Sequence, residues 1–339
     1  MAVRVVVGFV IAAAVGGIVA CNSGSPAEPT PPAAGGSGPG YSGRTVDVIT
    51  GAPIAGVTLE VSGAGAVVSD SAGTFTVGGD SQARRAVKAS SPQTVERSTY
   101  LPIPDAEARL SLIPSSFDLA AFDAMFRSGR DGILRRWVNA PSLVIERAAL
   151  EFTRTGAPSY SATGNLMSED EAARLVEDLQ WALEQLSGGT FTAFANVRVE
   201  STPAGSTVQT QHAGAVFVAR YEGLARTTNF DGYTGWSWSG AGHMVRASMM
   251  LDRDYDATAP SLSRRALRAH EMGHALGWMH LETRTSVMNP RNPTLPTDFD
   301  RMGATIAFNR LPLNRTPDID VAPASAKQLD NRIYSFGDY

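Results

Sequence analysis

The chain has 339 residues, of which 43% are apolar and 18% charged, and its formal net charge is −4. This is the composition of a soluble globular protein long enough for two folded units and a linker or tail. It lacks the basic excess that marks a nucleic-acid partner, and its single cysteine, Cys21, excludes an intramolecular disulfide.

Arg4 is followed by an uncharged run from Val5 to Val19, then by Ala20 and Cys21. A positive start, a short apolar stretch and a small residue at the cut give the layout of a secretory signal peptide over 1–20. A membrane span needs roughly 20 apolar residues, whereas this run is shorter and contains three glycines. Ile18-Val19-Ala20-Cys21 resembles the lipobox of bacterial lipoproteins. The resemblance implies cleavage before Cys21, lipidation of that residue, and attachment to a membrane through the acylated N-terminus. It places the protein in the bacterial cell envelope, extracytoplasmic, and Asn22 favours the outer membrane or cell surface by analogy. Residues 21–40, rich in Pro, Gly, Ser and Ala, read as a flexible tether.

From 41 to 114 short alternating runs alternate with turns. Val57, Leu59 and Val61 interleave with Thr58 and Glu60 as a half-buried strand, and Thr50-Gly51-Ala52-Pro53 and Asp70-Ser71-Ala72-Gly73 are turns. A small all-β unit is expected. The run from Gly43 to Val57, with Asp70 to Phe75, resembles the carboxypeptidase regulatory-like family, which implies a transthyretin-like β-sandwich in an accessory role.

A second unit is expected over 115–320. Phe117 to Phe126 predicts a short helix and Leu143 to Glu146 a buried strand. Ser168 with Glu171 forms a capping box. Beyond it Ala172, Leu175, Val176, Leu179, Leu183 and Leu186 recur at helical spacing, up to Gly188-Gly189. Phe194 to Val199, Ala215 to Tyr221 and Met244 to Leu251 read as strands, so the order suggests a mixed sheet with a long helix on it. Asp252, Asp254 and Asp256 match the start of a calcium loop. They lack the glycine at its sixth position and the glutamate at its twelfth, so a Ca²⁺ site is not supported and a solvated acidic loop is expected.

A helix capped near Ser261 or Ser263 leads into His270-Glu271-Met272-Gly273-His274-Ala275-Leu276-Gly277-Trp278-Met279-His280. His270 and His274, four apart, stand on one helix face and can share a metal. Glu271 can reach a water on that metal as general base. In a continued helix His280 would lie about 240° further round than His274. Gly277 stands between them and can turn the chain out of the helix through positive φ. Three protein ligands leave a position open, the mark of a catalytic zinc. His212 and His243 carry no such pattern and are expected to be ordinary structural histidines. Phe299 to Arg310 predicts a terminal helix, and 321–339 a C-terminal tail.

This HExxHxxGxxH run, followed by Ser286-Val287-Met288-Asn289-Pro290, resembles the metzincin zinc proteases, with the matrixins as nearest neighbours. The resemblance implies an α+β zincin catalytic domain with a mixed sheet and an active-site helix. It implies one Zn²⁺ on His270, His274 and His280, Glu271 as base, and Met288 as the floor of a Met-turn beneath the ligands. It also implies a protein or peptide substrate lying along an edge strand, for which Met244 to Leu251 is the candidate by position, with Asn289 to Pro293 bordering the pocket. The chain departs from the pattern in three ways. Leu281 stands where matrixins have Ser; no tyrosine follows Met288 at two residues' distance; and Cys21, once lipidated, cannot serve a cysteine switch. The competing reading, a zinc-containing surface binding or adhesion lipoprotein, gives Glu271 no task.

Overall fold

In the N-terminal part, alternation of buried and exposed positions builds two sheets. The computed structural model describes residues 40–78, 84–101, 107–127, 131–322 and the backbone of 333–337. The expected signal peptide, Cys21, most of the tether and most of the 321–339 tail lie outside the described residues. Strand β1 (Gly40–Asp47) begins at Gly40, which the tether was expected to include. It is followed by β2 (Thr58–Val61), β3 (Gly65–Val68), β4 (Thr74–Gly78), β5 (Arg85–Ser90), β6 (Arg97–Leu101) and β7 (Ala108–Leu112). One sheet runs β4-β1-β7 and the other β3-β2-β5-β6. Their inward residues, among them Tyr41, Leu59, Phe75, Val87, Leu101 and Leu110, share one apolar cluster, so the sheets pack face to face. Gly73 takes φ 72° in the turn after Asp70, where a Cβ would sit 2.6 Å from the Thr45 carbonyl oxygen. Only glycine fits there.

The remainder is a mixed sheet with helices. Helix α1 (Leu119–Phe126) starts after Asp118, whose carboxylate accepts from the Ala121 N–H. Then come β8 (Ser142–Glu151), β9 (Ser159–Leu166) and α2 (Glu169–Leu186), the last carrying the expected Ser168/Glu171 capping box. Strands β10 (Val197–Glu200), β11 (Thr207–Gln209) and β12 (Ala215–Glu222) follow, then α3 (Leu224–Thr228), β13 (Gly232–Ser239) and β14 (Met244–Asp252). The strand expected from Phe194 starts only at Val197, because Phe194 is buried in the core. Helices α4 (Arg253–Thr258), α5 (Ser261–Ala275) and α6 (Asp298–Phe308) precede β15 (Ile333–Gly337). The strand order is β11-β9-β8-β12-β14-β13-β15, with β10 beside β8. β8, β10, β12 and β14 are mutually parallel, and β13 is antiparallel to both its neighbours. β12 is buried almost throughout, as expected of a central parallel strand covered on both faces. Val216 and Val218 face a core closed by Leu175 and Leu179 of α2 and by Met272 and Ala275 of α5.

Two expectations fail here. Met244 to Leu251 is no edge strand, because β14 pairs with β12 on one side and β13 on the other. Nor do Asp252, Asp254 and Asp256 form a solvated loop. Asp252 caps α4 and also accepts from the Ala225 N–H, Asp254 pairs with Arg253, and Asp256 is fully buried between Arg220 and Arg268. Burial would raise the Asp256 carboxyl, but Arg268 and Arg220 hold it below its ordinary value. Helical backbone sends the three carboxylates apart, so they offer no shared cation site.

The described residues form one compact unit, and a buried polar network joins its two parts. Arg310 forks onto Asp318 with two 2.7 Å bonds, and its Nη1 also donates to the Ser111 hydroxyl. Arg97 and Thr99 of β6 both donate to Asp320, and Asn314 donates to Asp318 and Asp320. The Ser98 N–H donates to the Asp318 carbonyl and the Asp320 N–H to the Ser98 carbonyl, which stitches the segment onto β6. Removing one member of a buried ion pair strands the other, at a cost of about 3–5 kcal/mol. Arg310→Ala is therefore expected to lower unfolding free energy by about 3–5 kcal/mol. Urea denaturation followed by circular dichroism measures this, and a loss below about 1 kcal/mol would show the network to be idle.

Candidate metal centre

Helix α5 carries His270 and His274 on one face, both buried, and it ends at Ala275. Its end is a Schellman turn: the Trp278 N–H donates to the Gly273 carbonyl and the Gly277 N–H to that of His274. Gly277 has φ 98°, and a Cβ there would stand 3.1 Å from the Arg135 carbonyl oxygen, so both backbone and space call for glycine. The reversed chain brings His280 back to the helix face it has just left.

The three imidazoles converge through Nε2. The Nε2–Nε2 separations are 3.2 Å for His270–His274, 3.1 Å for His274–His280 and 3.3 Å for His280–His270. The outer nitrogens are tied to carbonyls: His270 Nδ1 to Val287 O at 2.7 Å and His274 Nδ1 to Trp278 O at 2.8 Å. A carbonyl can only accept, so Nδ1 carries the hydrogen and Nε2 of each neutral ring presents a lone pair. Burial, and then the neighbouring His280, push His274 down to about 3, so it is neutral at ordinary pH. Facing lone pairs at this range repel one another unless a cation lies between them. Tetrahedral zinc with nitrogen ligands at about 2.0–2.1 Å separates its donors by roughly 3.3 Å. The donor set fits that ion in element, number and spacing, and no other group of three metal-ligating side chains occurs among the described residues.

The supports around the site come from several elements. A Cβ on Gly273 would stand 2.3 Å from the Met288 sulfur, so Met288 lies directly against the helix beneath His270 and His274. The Met288 turn is held from α6. Buried Asp300 accepts from the Ser286 hydroxyl at 2.6 Å and the Val287 N–H at 3.0 Å, and also closes the capping box with Thr297. Leu281 is buried in the main core, and its N–H donates to the Met288 carbonyl. Trp236 of β13 lies parallel to the His274 ring, centroids 5.7 Å apart, and Trp137 Nε1 donates to the Ala275 carbonyl at the helix end. Asp300, Trp137 and Trp236 were not singled out in the sequence. Only Asp300 left a trace there, the Thr297-x-x-Asp300 spacing of a helix cap.

Glu271 is buried beside the histidines, and its Oε2 accepts from the Thr234 hydroxyl at 2.7 Å. A cavity of about 370 Å³ opens in front of these groups. Its walls include Phe230, Tyr255 and Leu267, with Pro290, Arg291 and Pro293 beyond the Met288 turn. The strand bordering it is β13, from Gly232 to Thr234. His212 stacks on Phe217 away from this site, and His243 lines no part of it.

No family model matches the chain, and no curated protein matches it. Among solved structures it is similar to a chain of a type II cohesin–X-dockerin complex from Acetivibrio cellulolyticus, at 23% identity and a TM-score of 0.18. That match covers 22% of this chain and 52% of the other, so the chain spans about half the length of the structure it matches.

The purified full chain is expected to bind one Zn²⁺ at the triad, read by elemental analysis and competition with a chelator. Loss of an outer-sphere partner costs about 10–100-fold in metal affinity, and His274→Ala should exceed that. Unchanged affinity in the variant would place the ion elsewhere.

Proposed function

We propose that this chain is a zinc-dependent endopeptidase of the metzincin type, nearest the matrixins, that hydrolyses extracytoplasmic proteins or peptides. The observation that carries it is the buried glutamate beside three converging imidazoles, at the mouth of a cavity large enough for a side chain. A structural zinc site of an adhesion protein would have no use for Glu271 there. The N-terminal sheets then serve as a transthyretin-like accessory module. The segment before them supplies a lipid anchor at Cys21.

His270, His274 and His280 would hold the zinc ion, which supplies a lowered pKa to water and polarises a carbonyl. Glu271 accepts a proton from the attacking water and returns it to the leaving amine. Phe230, Tyr255 and Leu267 offer an apolar wall for the side chain next to the scissile bond. The backbone edge of β13 at Gly232–Thr234 is positioned for an extended peptide to pair with it. Glu271→Ala is expected to lower kcat on casein and on peptide libraries by about 10²–10⁴-fold, with zinc content unchanged. A zinc-replete wild type that cuts nothing would reject the endopeptidase reading, and an equally active variant would reject the role of Glu271.

The same edge carries an internal occupant. Strand β15 pairs antiparallel with β13 from Gly235 to Ser239, Gly337 lying opposite Gly235, so its C-terminal end is directed toward the cleft. A long substrate must share this edge with β15 or displace it. Deleting 323–339 is expected to lower KM for long peptides about fivefold, the worth of one net hydrogen bond of about 1 kcal/mol, while short peptides are unaffected. A KM that does not move for either would show that substrates do not use the Gly235–Ser239 edge.

A further inference from the structure

A carboxylate that shuttles a proton needs one oxygen held and the other within reach of the substrate. β13 meets both needs with two residues on one face, since positions i and i+2 of a strand point the same way. Thr234, 1% exposed, donates its hydroxyl to Glu271 Oε2 at 2.7 Å; the Glu271 carbonyl oxygen lies further off, at 3.3 Å. The hydroxyl has one hydrogen, and the shorter, charge-assisted bond to the carboxylate takes it. Two residues earlier, a Cβ on Gly232 would stand 2.4 Å from Glu271 Oε1 and 2.8 Å from its carboxyl carbon. Gly232 has an ordinary backbone conformation, so φ does not require glycine there; the carboxylate does.

We infer that Thr234 is a positioning residue that fixes Oε2, so that Oε1, lying over Gly232, is the oxygen that takes up and returns the proton. This rests on the reading of Glu271 as general base. In the forward step an O–H bond of water breaks as its oxygen bonds to the scissile carbonyl carbon, the C=O pair moving to the carbonyl oxygen, and a new O–H bond forms at Oε1, leaving Glu271 as the neutral acid. In the return step that proton passes to the amine nitrogen as the C–N bond breaks, and Glu271 is a carboxylate again. Oε2 is an acceptor in both states, so the Thr234 bond persists throughout and the carboxyl group need not rotate between the two transfers. Valine at 234 keeps the shape of threonine but removes the hydroxyl that holds Oε2. Alanine at 232 crowds Oε1.

The test uses the full chain with a fluorogenic peptide, reading kcat, KM and zinc stoichiometry separately. Thr234→Val is expected to lower kcat by about 10–100-fold, the range for loss of a supporting partner, with KM and zinc content unchanged. Thr234→Ser, which restores the hydroxyl, should recover kcat to within about threefold, and Gly232→Ala should lower kcat while zinc is retained. In a Glu271→Gln background, Thr234→Val should have no further effect, since coupled residues are not additive. A purely structural Thr234 would lose stability and zinc along with activity, and serine would rescue it no better than valine. An active wild type with unchanged kcat in Thr234→Val overturns this role alone. A wild type that cuts no peptide overturns the endopeptidase reading and this role with it.

Discussion

The rest of the site depends on one electrostatic constraint: three imidazole nitrogens, Nε2 of His270, His274 and His280, held 3.1–3.3 Å apart. Left alone, such a cluster would open or take up a proton. It does neither because each support blocks one escape. Carbonyls of Val287 and Trp278 fix the Nδ1 hydrogens of His270 and His274 and with them the direction of those two rings. Burial holds His274 neutral, and the parallel Trp236 ring limits its swing. A cation at its centre would relieve the repulsion that these supports hold in place, so the same geometry that costs folding energy would favour a metal.

Holding that geometry takes backbone from four places. α5 sets the His270–His274 spacing, and the Schellman turn at Gly277 sets where His280 returns. The Met288 turn gives the floor, and α6 holds the turn through Asp300. Asp300 is the least dispensable of these supports. Its two oxygens satisfy the Ser286 hydroxyl, the Val287 N–H and the Thr297 N–H together. The Val287 carbonyl that orients His270 belongs to the residue whose N–H Asp300 grips. A carboxylate in one helix thereby controls the ring of a ligand in another, through a single intervening residue.

How much of this was legible in the sequence follows from the range of each interaction. The His270/His274 spacing, the Gly277 break and the Ser168/Glu171 cap are local, and a period or a turn requirement exposes them. The contact of Met288 with Gly273 spans fifteen positions and became legible only through a family resemblance. β13 was missed because Gly232, Gly235 and its two tryptophans break any clean alternation, and with it went Thr234. The mistaken edge at Met244–Leu251 has a related cause. Alternation identifies a strand but not its neighbours, and β13 folds back antiparallel onto β14 and covers its edge. The three aspartates read as a solvated acidic loop, whereas the helix over Arg253–Thr258 gives each its own partner.

The two parts of the molecule are less separable than their contrasting patterns suggest. After α6 the chain returns along β6 and places Asp318 and Asp320 between Arg97 and Arg310, with every carboxylate oxygen bonded. Burial and the adjacent Arg97 push Arg310 down to about 10, yet Asp318 holds it charged. A cut at Ser115 would remove Arg97, Thr99 and Ser111 and leave Asp320 facing an empty side. The segment thus anchored also touches the larger mixed-sheet part, since Asn314 and Leu313 exchange backbone bonds with Leu134, which lies in the main core with Trp137. Trp137 in turn bonds the end of α5, the helix that carries His270 and His274. The β-rich unit is therefore tied, through the 309–320 segment, to the scaffold that fixes where α5 ends, and with it to the position of His280.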